Sequence, residues 1–179
     1  MKLLKDYIKV YNVEDDSRVL TLLESSKTTP GSWTDNHATV TAYQNMDTVI
    51  CEDIKIKDIV TEWAKKVVYQ YSVEFEVPIR GASGVRFNKY SEGQKMEMHF
   101  DHIHSVFDGY YKGIPILSII GFLNDNYEGG ELVFNLGGES VSYKLPTNSV
   151  LVFPSAFPWP HEVTPVTKGV RYTWVMWCF

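Results

Sequence analysis

The chain has 179 residues, 44% of them apolar, 14% aromatic and 22% charged, which suits one domain with a substantial core and excludes a disordered or collagen-like protein. Its net charge of -5 argues against non-specific binding to nucleic acid or to an anionic membrane, since both need a surplus of Lys and Arg. Cys51 and Cys178 are too few for a disulfide framework, the opening MKLLKDYIKV breaks its apolar run with Lys5, Asp6 and Lys9, and no stretch reaches membrane-spanning length, so a soluble, cytoplasmic protein is expected.

Along the chain, DDSRVLTLLESS sets Val19, Leu20, Leu22 and Leu23 behind an Asp-Asp-Ser start signal and predicts a short helix. TTPGSWTDNHATVTAYQN, rich in Thr, Asn, Gly and Ser, reads as a long loop or an irregular hairpin. In IKDIVTEWAKKVVYQY, Ile56, Ile59, Val60, Trp63, Val67 and Tyr71 recur at steps of three and four, which predicts a helix covering a sheet.

From Val85 onward the pattern changes to short runs of Val, Ile, Phe, Tyr and Trp between turn residues: GVRFNKY, KMEMHFD, ILSIIGFLN, GELVFNL, SVSYKL, NSVLVFP, HEVTPV and RYTWVMWCF. The Gly-Gly pairs of YEGGEL and LGGES and the Lys-Gly corner of TPVTKGVR suit turns with positive φ. So many strands with so few helical gaps predict a mainly β fold, an antiparallel sandwich or jelly roll.

The stretch KMEMHFDHIHS carries His99, Asp101, His102 and His104. If it stays extended, alternation puts Glu97, His99 and Asp101 on one face and Met96, Met98, Phe100, His102 and His104 on the other. A His-x-Asp pair offers one imidazole and one carboxylate, a mixed set suited to Fe(II), with Mn, Co or Zn able to enter the same geometry. His102 and His104 share the spacing but have no carboxylate, and they lie where Gly109, Gly113 and Pro115 suggest that the strand has ended. For a third ligand the distant histidines are His37 and His161. His161 follows the Pro-rich corner of PWPHEV on a late strand, and a late strand of a jelly roll can sit beside an early one. His99, Asp101 and His161 would then form a facial triad with open coordination positions, which means catalysis rather than structure. Ten residues after His161, Arg171 opens the last strand with Thr173, Val175 and Trp177 on its face. A guanidinium there needs an anion, either a bound carboxylate or Glu97 or Glu131 as an internal partner.

These elements resemble the Fe(II)- and 2-oxoglutarate-dependent dioxygenases, in particular the branch of the prolyl 4-hydroxylase alpha-subunit catalytic domain. The carriers are RFNKYSEGQKMEMHFD, LSIIGFLNDNYEGGELVF and VLVFPSAFPWPHEVTPVTKGVRYTWVMW, spread over roughly 85–179. The resemblance implies one dioxygenase domain over 1–179. Residues 1–84 would give N-terminal helices and loop support, packed on the outer sheet of a double-stranded β-helix core over 85–179. It further implies that His99, Asp101 and His161 bind iron and that Arg171 grips the distal carboxylate of 2-oxoglutarate. Tyr90 matches a pocket tyrosine and is equally readable as an ordinary barrel tyrosine. Thr173 could add a hydroxyl to the same carboxylate or serve simply as a strand former. Where some relatives carry a tyrosine before LN, this chain has Phe122.

The implied cofactors are Fe(II), 2-oxoglutarate and O2, with ascorbate as an accessory reductant. The implied reaction hydroxylates an unactivated C-H bond and releases succinate and carbon dioxide. Asp101 favours hydroxylation over halogenation, because the related halogenases lack that carboxylate. The resemblance favours a prolyl residue in a peptide or protein, with a free amino acid or other small molecule as the alternative. Trp33, Tyr110, Tyr111 and Trp159 could line a peptide groove or pack loops onto the barrel. Outside this class stand a non-enzymatic, cupin-like binding jelly roll and a nucleic-acid demethylase, which the acidic balance disfavours.

Overall fold

The computed structural model describes residues 3–34, 40–101 and 115–179. Helix α1 (Ser17–Ser25) begins at Asp16, whose carboxylate accepts from the Arg18 amide at 3.2 Å, and it buries Val19 and Leu23. Helix α2 (Ile54–Phe75) outruns the stripe that predicts it. Asp53 caps its start by accepting from the amides of Lys55 and Ile56, and Glu76 closes it in the left-handed conformation at φ 54°.

The strands are β1 (Lys9–Asn12), β2 (Thr28–Thr34), β3 (Val40–Val49), β4 (Arg86–Tyr90), β5 (Met96–His99), β6 (Leu117–Phe122) and β7 (Glu128–Gly129). They continue with β8 (Leu132–Leu136), β9 (Glu139–Tyr143), β10 (Ser149–Pro154), β11 (His161–Val163), β12 (Val166–Lys168) and β13 (Arg171–Cys178). A seven-stranded sheet runs β1-β10-β6-β13-β4-β3-β2, a four-stranded sheet runs β5-β11-β8-β9, and β12 pairs with β7. The strand pairs are antiparallel. The glycines of both Gly-Gly turns and of the Lys-Gly corner have positive φ, as the turn chemistry predicts.

Two cores result. Val60, Trp63 and Val67 of α2 pack with Val19 and Leu23 of α1 on the face of the large sheet that carries Ile119, Val152 and Trp174. The other face, with Phe122, Phe153 and Val175, meets Leu132, Phe134 and Val163 of the small sheet. Strand β6 is buried along its whole length because it lies mid-sheet with a core on each side, which is why ILSIIGFLN reads as a continuous apolar run. No helix among the described residues is long and apolar enough to cross a membrane.

Two expectations need correction. The N-terminal part is more than helices and loop support: β1, β2 and β3 extend the large sheet on both flanks, and within TTPGSWTDNHATVTAYQN the described residues of β2 and β3 pair antiparallel, with a register shift between Pro30 and Ser32. HEVTPV is two strands. Pro165 cannot donate to a ladder, and the chain passes from the four-stranded sheet at Val163 to the two-stranded sheet at Val166.

Candidate active site

His99 ends β5 and His161 opens β11, and the two are direct partners in the antiparallel register. Their rings lie 4.4 Å apart between centroids. Asp101 stands just past the end of β5 and brings its carboxylate between them, Oδ1 3.4 Å from His99 Nε2 and Oδ2 3.7 Å from His161 Nε2. The opposite ring nitrogens are tied to backbone carbonyls two residues earlier: His99 Nδ1 to Glu97 O at 2.7 Å and His161 Nδ1 to Trp159 O at 3.2 Å. A carbonyl only accepts, so Nδ1 carries the proton in both rings and each Nε2 turns a lone pair toward the carboxylate. The three donor groups lie within 4.8 Å of one another, a two-nitrogen, one-carboxylate set of the kind that takes Fe(II) with positions left open.

The electrostatics fit a cation. His161 is 3% exposed, wedged against the rings of Phe134 and Phe153, and burial lowers its pKa to about 4 against the pull of Asp101, leaving it a neutral ligand at neutral pH. Burial opposes ionisation of Asp101, but in the acid range where the carboxyl would take up its proton the imidazoles are protonated, and their charge, the His99 hydrogen bond and the Ser118 hydroxyl outweigh burial and hold it well below the usual range. Ser118, on β6, donates to Asp101 Oδ2 at 2.6 Å and is itself 2.7 Å from the Ser155 hydroxyl.

The shared face of Glu97 and His99 is not observed. Between His161 and Val163 the register against β5 shifts, so that Met96 partners Val163 and His99 partners His161, with one residue more on the β5 side. The bulge turns Met96 and His99 into the same cavity and leaves Glu97 outside, paired with Lys95 at 2.7 Å.

Strands β4 and β13 form the cavity's other wall, in register as Tyr90 with Arg171, Asn88 with Thr173 and Arg86 with Val175. Arg171 is 1% exposed, its guanidinium carbon 4.9 Å from the Tyr90 ring centre and 5.3 Å from that of Phe122. Among the described residues its Nε and Nη2 have no hydrogen-bond partner, nor has the buried Thr173 hydroxyl. Neither acidic partner offered by the sequence is used: Glu97 pairs with Lys95, and Glu131 accepts from the Ser142 hydroxyl. An uncompensated buried guanidinium is costly, so this cradle fits a carboxylate ligand. Burial raises the Tyr90 pKa, with Arg171 and Arg86 pulling the other way, so Tyr90 keeps its proton as a donor.

Sequence reasoning missed Arg86, Asn88, Ser118 and Ser155. Counting back in twos from Tyr90 would have found the first two, whereas the serines are brought to Asp101 by sheet packing that no local pattern signals. Trp159 gives its Nε1 proton to the Leu4 carbonyl at 3.0 Å and meets the Tyr7 ring edge-on, so it packs a corner. The Trp33 side chain and residues His37, His102, His104, Tyr110 and Tyr111 lie outside the described residues.

The family model described as the 2OG-Fe(II) oxygenase superfamily matches residues 85–179. The chain belongs to that superfamily. Membership makes it a 2-oxoglutarate-dependent dioxygenase that works with Fe(II) and O2. The oxygenase is 27% identical over 186 residues to a PKHD-type hydroxylase of Prochlorococcus marinus, a match covering 96% of this chain and 77% of the relative. It is 39% identical over 94 residues to a PKHD-type hydroxylase of Shewanella sp. strain MR-7, a match covering 51% of this chain and only 40% of the relative. Among solved structures it resembles a Trichoplax adhaerens prolyl hydroxylase in complex with a hypoxia inducible factor peptide fragment, with a TM-score of 0.71, 19% identity, and coverage of 97% of this chain and 83% of that one. It also resembles the viral collagen prolyl hydroxylase of Paramecium Bursaria Chlorella virus-1, at TM-score 0.68, 14% identity, and coverage of 96% and 94%. At these identities the structural likeness speaks for the fold.

Proposed function

We propose that this oxygenase hydroxylates a prolyl residue in a peptide or protein, with release of succinate and carbon dioxide, from one dioxygenase domain over 1–179 built on a double-stranded β-helix. His99, Asp101 and His161 hold Fe(II) through Nε2, a carboxylate oxygen and Nε2. Arg171 binds the distal carboxylate of 2-oxoglutarate, with Thr173 and Tyr90 as hydroxyl donors beside it. When bound, Fe(II) supplies the oxygen activation that couples decarboxylation of 2-oxoglutarate to C-H hydroxylation. Tyr90 and Phe122 cover the Arg171 guanidinium from water, which strengthens its grip on an anion. The carrying observation is Arg171 itself, a buried cation with two donors that have no partner among the described residues. Support for a prolyl substrate comes from the names of the prolyl hydroxylase neighbours, one of them bound to a peptide fragment. Both cysteines are buried and free, in keeping with a reducing, cytoplasmic setting.

The test is succinate production by anaerobically Fe(II)-loaded protein given 2-oxoglutarate, ascorbate and O2, with and without proline-containing peptides. Succinate should rise with particular peptides and carry a matching hydroxylated product. Succinate that responds only to small molecules would move the substrate to the free amino acids, and retained activity in His161→Ala would sink the ligand assignment.

A further inference from the structure

The cavity that holds His99, Asp101 and His161 contains a second cation that the reading above does not use. Arg86 opens β4, two steps from Asn88 and four from Tyr90, so alternation turns it to the same interior face. It is mostly buried, its guanidinium carbon lies 5.0 Å from the centre of the Trp177 ring, and its Nε has no hydrogen-bond partner among the described residues. Asp101 attracts it across the cavity without forming an ion pair with it. Arg86 is opposite Val175 while Arg171 is opposite Tyr90, so the two cations sit about 13 Å apart along the wall by strand geometry. Arg171 stacks on Tyr90 and Phe122 at one end of the wall, whereas Arg86 and Trp177 line the cavity together with the triad.

Charge separates their roles. Among the described residues, two guanidiniums and a divalent ion against the Asp101 carboxylate leave three positive charges, and a dicarboxylate cosubstrate offsets two of them. A mostly buried guanidinium stacked on an indole and keeping an in-plane donor free suits a carboxylate, which accepts a charge-assisted hydrogen bond in that plane. The cavity is narrow and Arg86 lines it together with His99, Asp101 and His161, so the partner of Arg86 sits close to the triad.

The geometry points to Arg86 as a specificity-determining residue that binds a carboxylate of the substrate against Trp177, so that the reacting residue bears a free carboxylate or adjoins one. This rests on the oxygenase reading above and narrows its substrate class: a carboxylate close to the reacting carbon belongs to a free amino acid, to the C-terminal residue of a peptide, or to an acidic neighbour.

The test reads binding, apart from turnover. Protein loaded anaerobically with Mn(II) and 2-oxoglutarate is titrated by calorimetry with L-proline and the other proteinogenic amino acids, and with N-acetyl-alanyl peptides ending in each of them. Every probe is used both as the acid and as the primary amide. Amide-capped prolyl peptides with an Asp neighbour, against the same peptides with Asn, form the third arm. At least one acid should bind roughly ten-fold or more tighter than its amide, or one Asp peptide than its Asn twin, and the arm in which this occurs identifies the source of the carboxylate. Arg86→Met should abolish that preference while leaving 2-oxoglutarate affinity intact, and Arg86→Lys should restore part of it. A merely structural Arg86 would weaken acids and amides alike. Equal affinities of acids and amides in the wild type, or a preference that survives in Arg86→Met, would overturn the inference and leave the oxygenase reading standing. Failure of Mn(II)-loaded wild type to bind 2-oxoglutarate would overturn both.

Discussion

Asp101 follows the end of β5, so the ladder does not hold it; the Ser118 hydroxyl from β6 does, at 2.6 Å. Removing that donor should let the carboxylate swing and weaken Fe(II) or Mn(II) binding about 10- to 100-fold, with 2-oxoglutarate affinity falling only as metal occupancy falls. Metal titration of Ser118→Ala measures it, Ser118→Thr should recover most of the loss, and unchanged affinity in Ser118→Ala would show that Ser118 merely fills space. At Arg171 the expectation is complementary: Arg171→Ala should raise the KM for 2-oxoglutarate by roughly 100-fold, about 3 kcal/mol for a lost charge-assisted bidentate contact, while metal affinity stays put. The metal-binding candidates were legible because His and Asp are few and chemically distinctive and the His-x-Asp spacing is local. Ser118 and Ser155 were not, because a serine in or beside a strand gains meaning only from what packing brings opposite it, and Arg86 was open only to counting back in twos from Tyr90.

At the scale of elements, the cavity depends on how tightly β6 and β13 lie together. Gly121 partners Trp174 across that pair, and a Cβ at Gly121 would come within 2.0 Å of the Trp174 indole. Gly121→Ala therefore has to displace a fully buried Trp174 from the core beneath α2, at a cost of about 2–3 kcal/mol and a fall in Tm of roughly 5–10 °C. Thermal melting checks this, and an unshifted Tm would mean that the indole has room to move. Helices and central strands were readable because burial on one or both faces writes a period or a run into the sequence. Edge strands leave a fainter mark: KVYN pairs with a single neighbour, and the Pro30 and Gly31 of β2 look like loop residues because an edge tolerates them. The β5 bulge was hidden for a related reason, since alternation assumes an unbroken ladder and the extra residue shows only in the pairing with β11.

Across the whole molecule, helices, large sheet and small sheet stack in layers, and Cys178, 1% exposed, lies in the core beneath α2 at the end of β13, where it lines a pocket with Ala64, Val68 and Ile119. Burial pushes its thiol up to about 11 from the ordinary 9.0. Between those two values the unfolded chain has lost the proton and the folded one keeps it, so stability must fall as pH rises. The contribution is intact below about pH 9 and gone above about pH 11, and it amounts to roughly 3 kcal/mol. The buried Tyr71 hydroxyl, raised mainly by burial, acts in the same direction at higher pH. Tm measured from pH 8 to 10.5 should therefore decline, and Cys178→Ala should flatten the early part of that decline while lowering Tm slightly at pH 8. A thiol reagent at pH 8 should leave Cys178 unlabelled by mass spectrometry until denaturant is added. Rapid labelling of the folded protein would mean that the pocket between α2 and β13 admits the reagent to Cys178, and a decline just as steep in Cys178→Ala would mean that burial of this thiol is not what sets the alkaline limit of the fold.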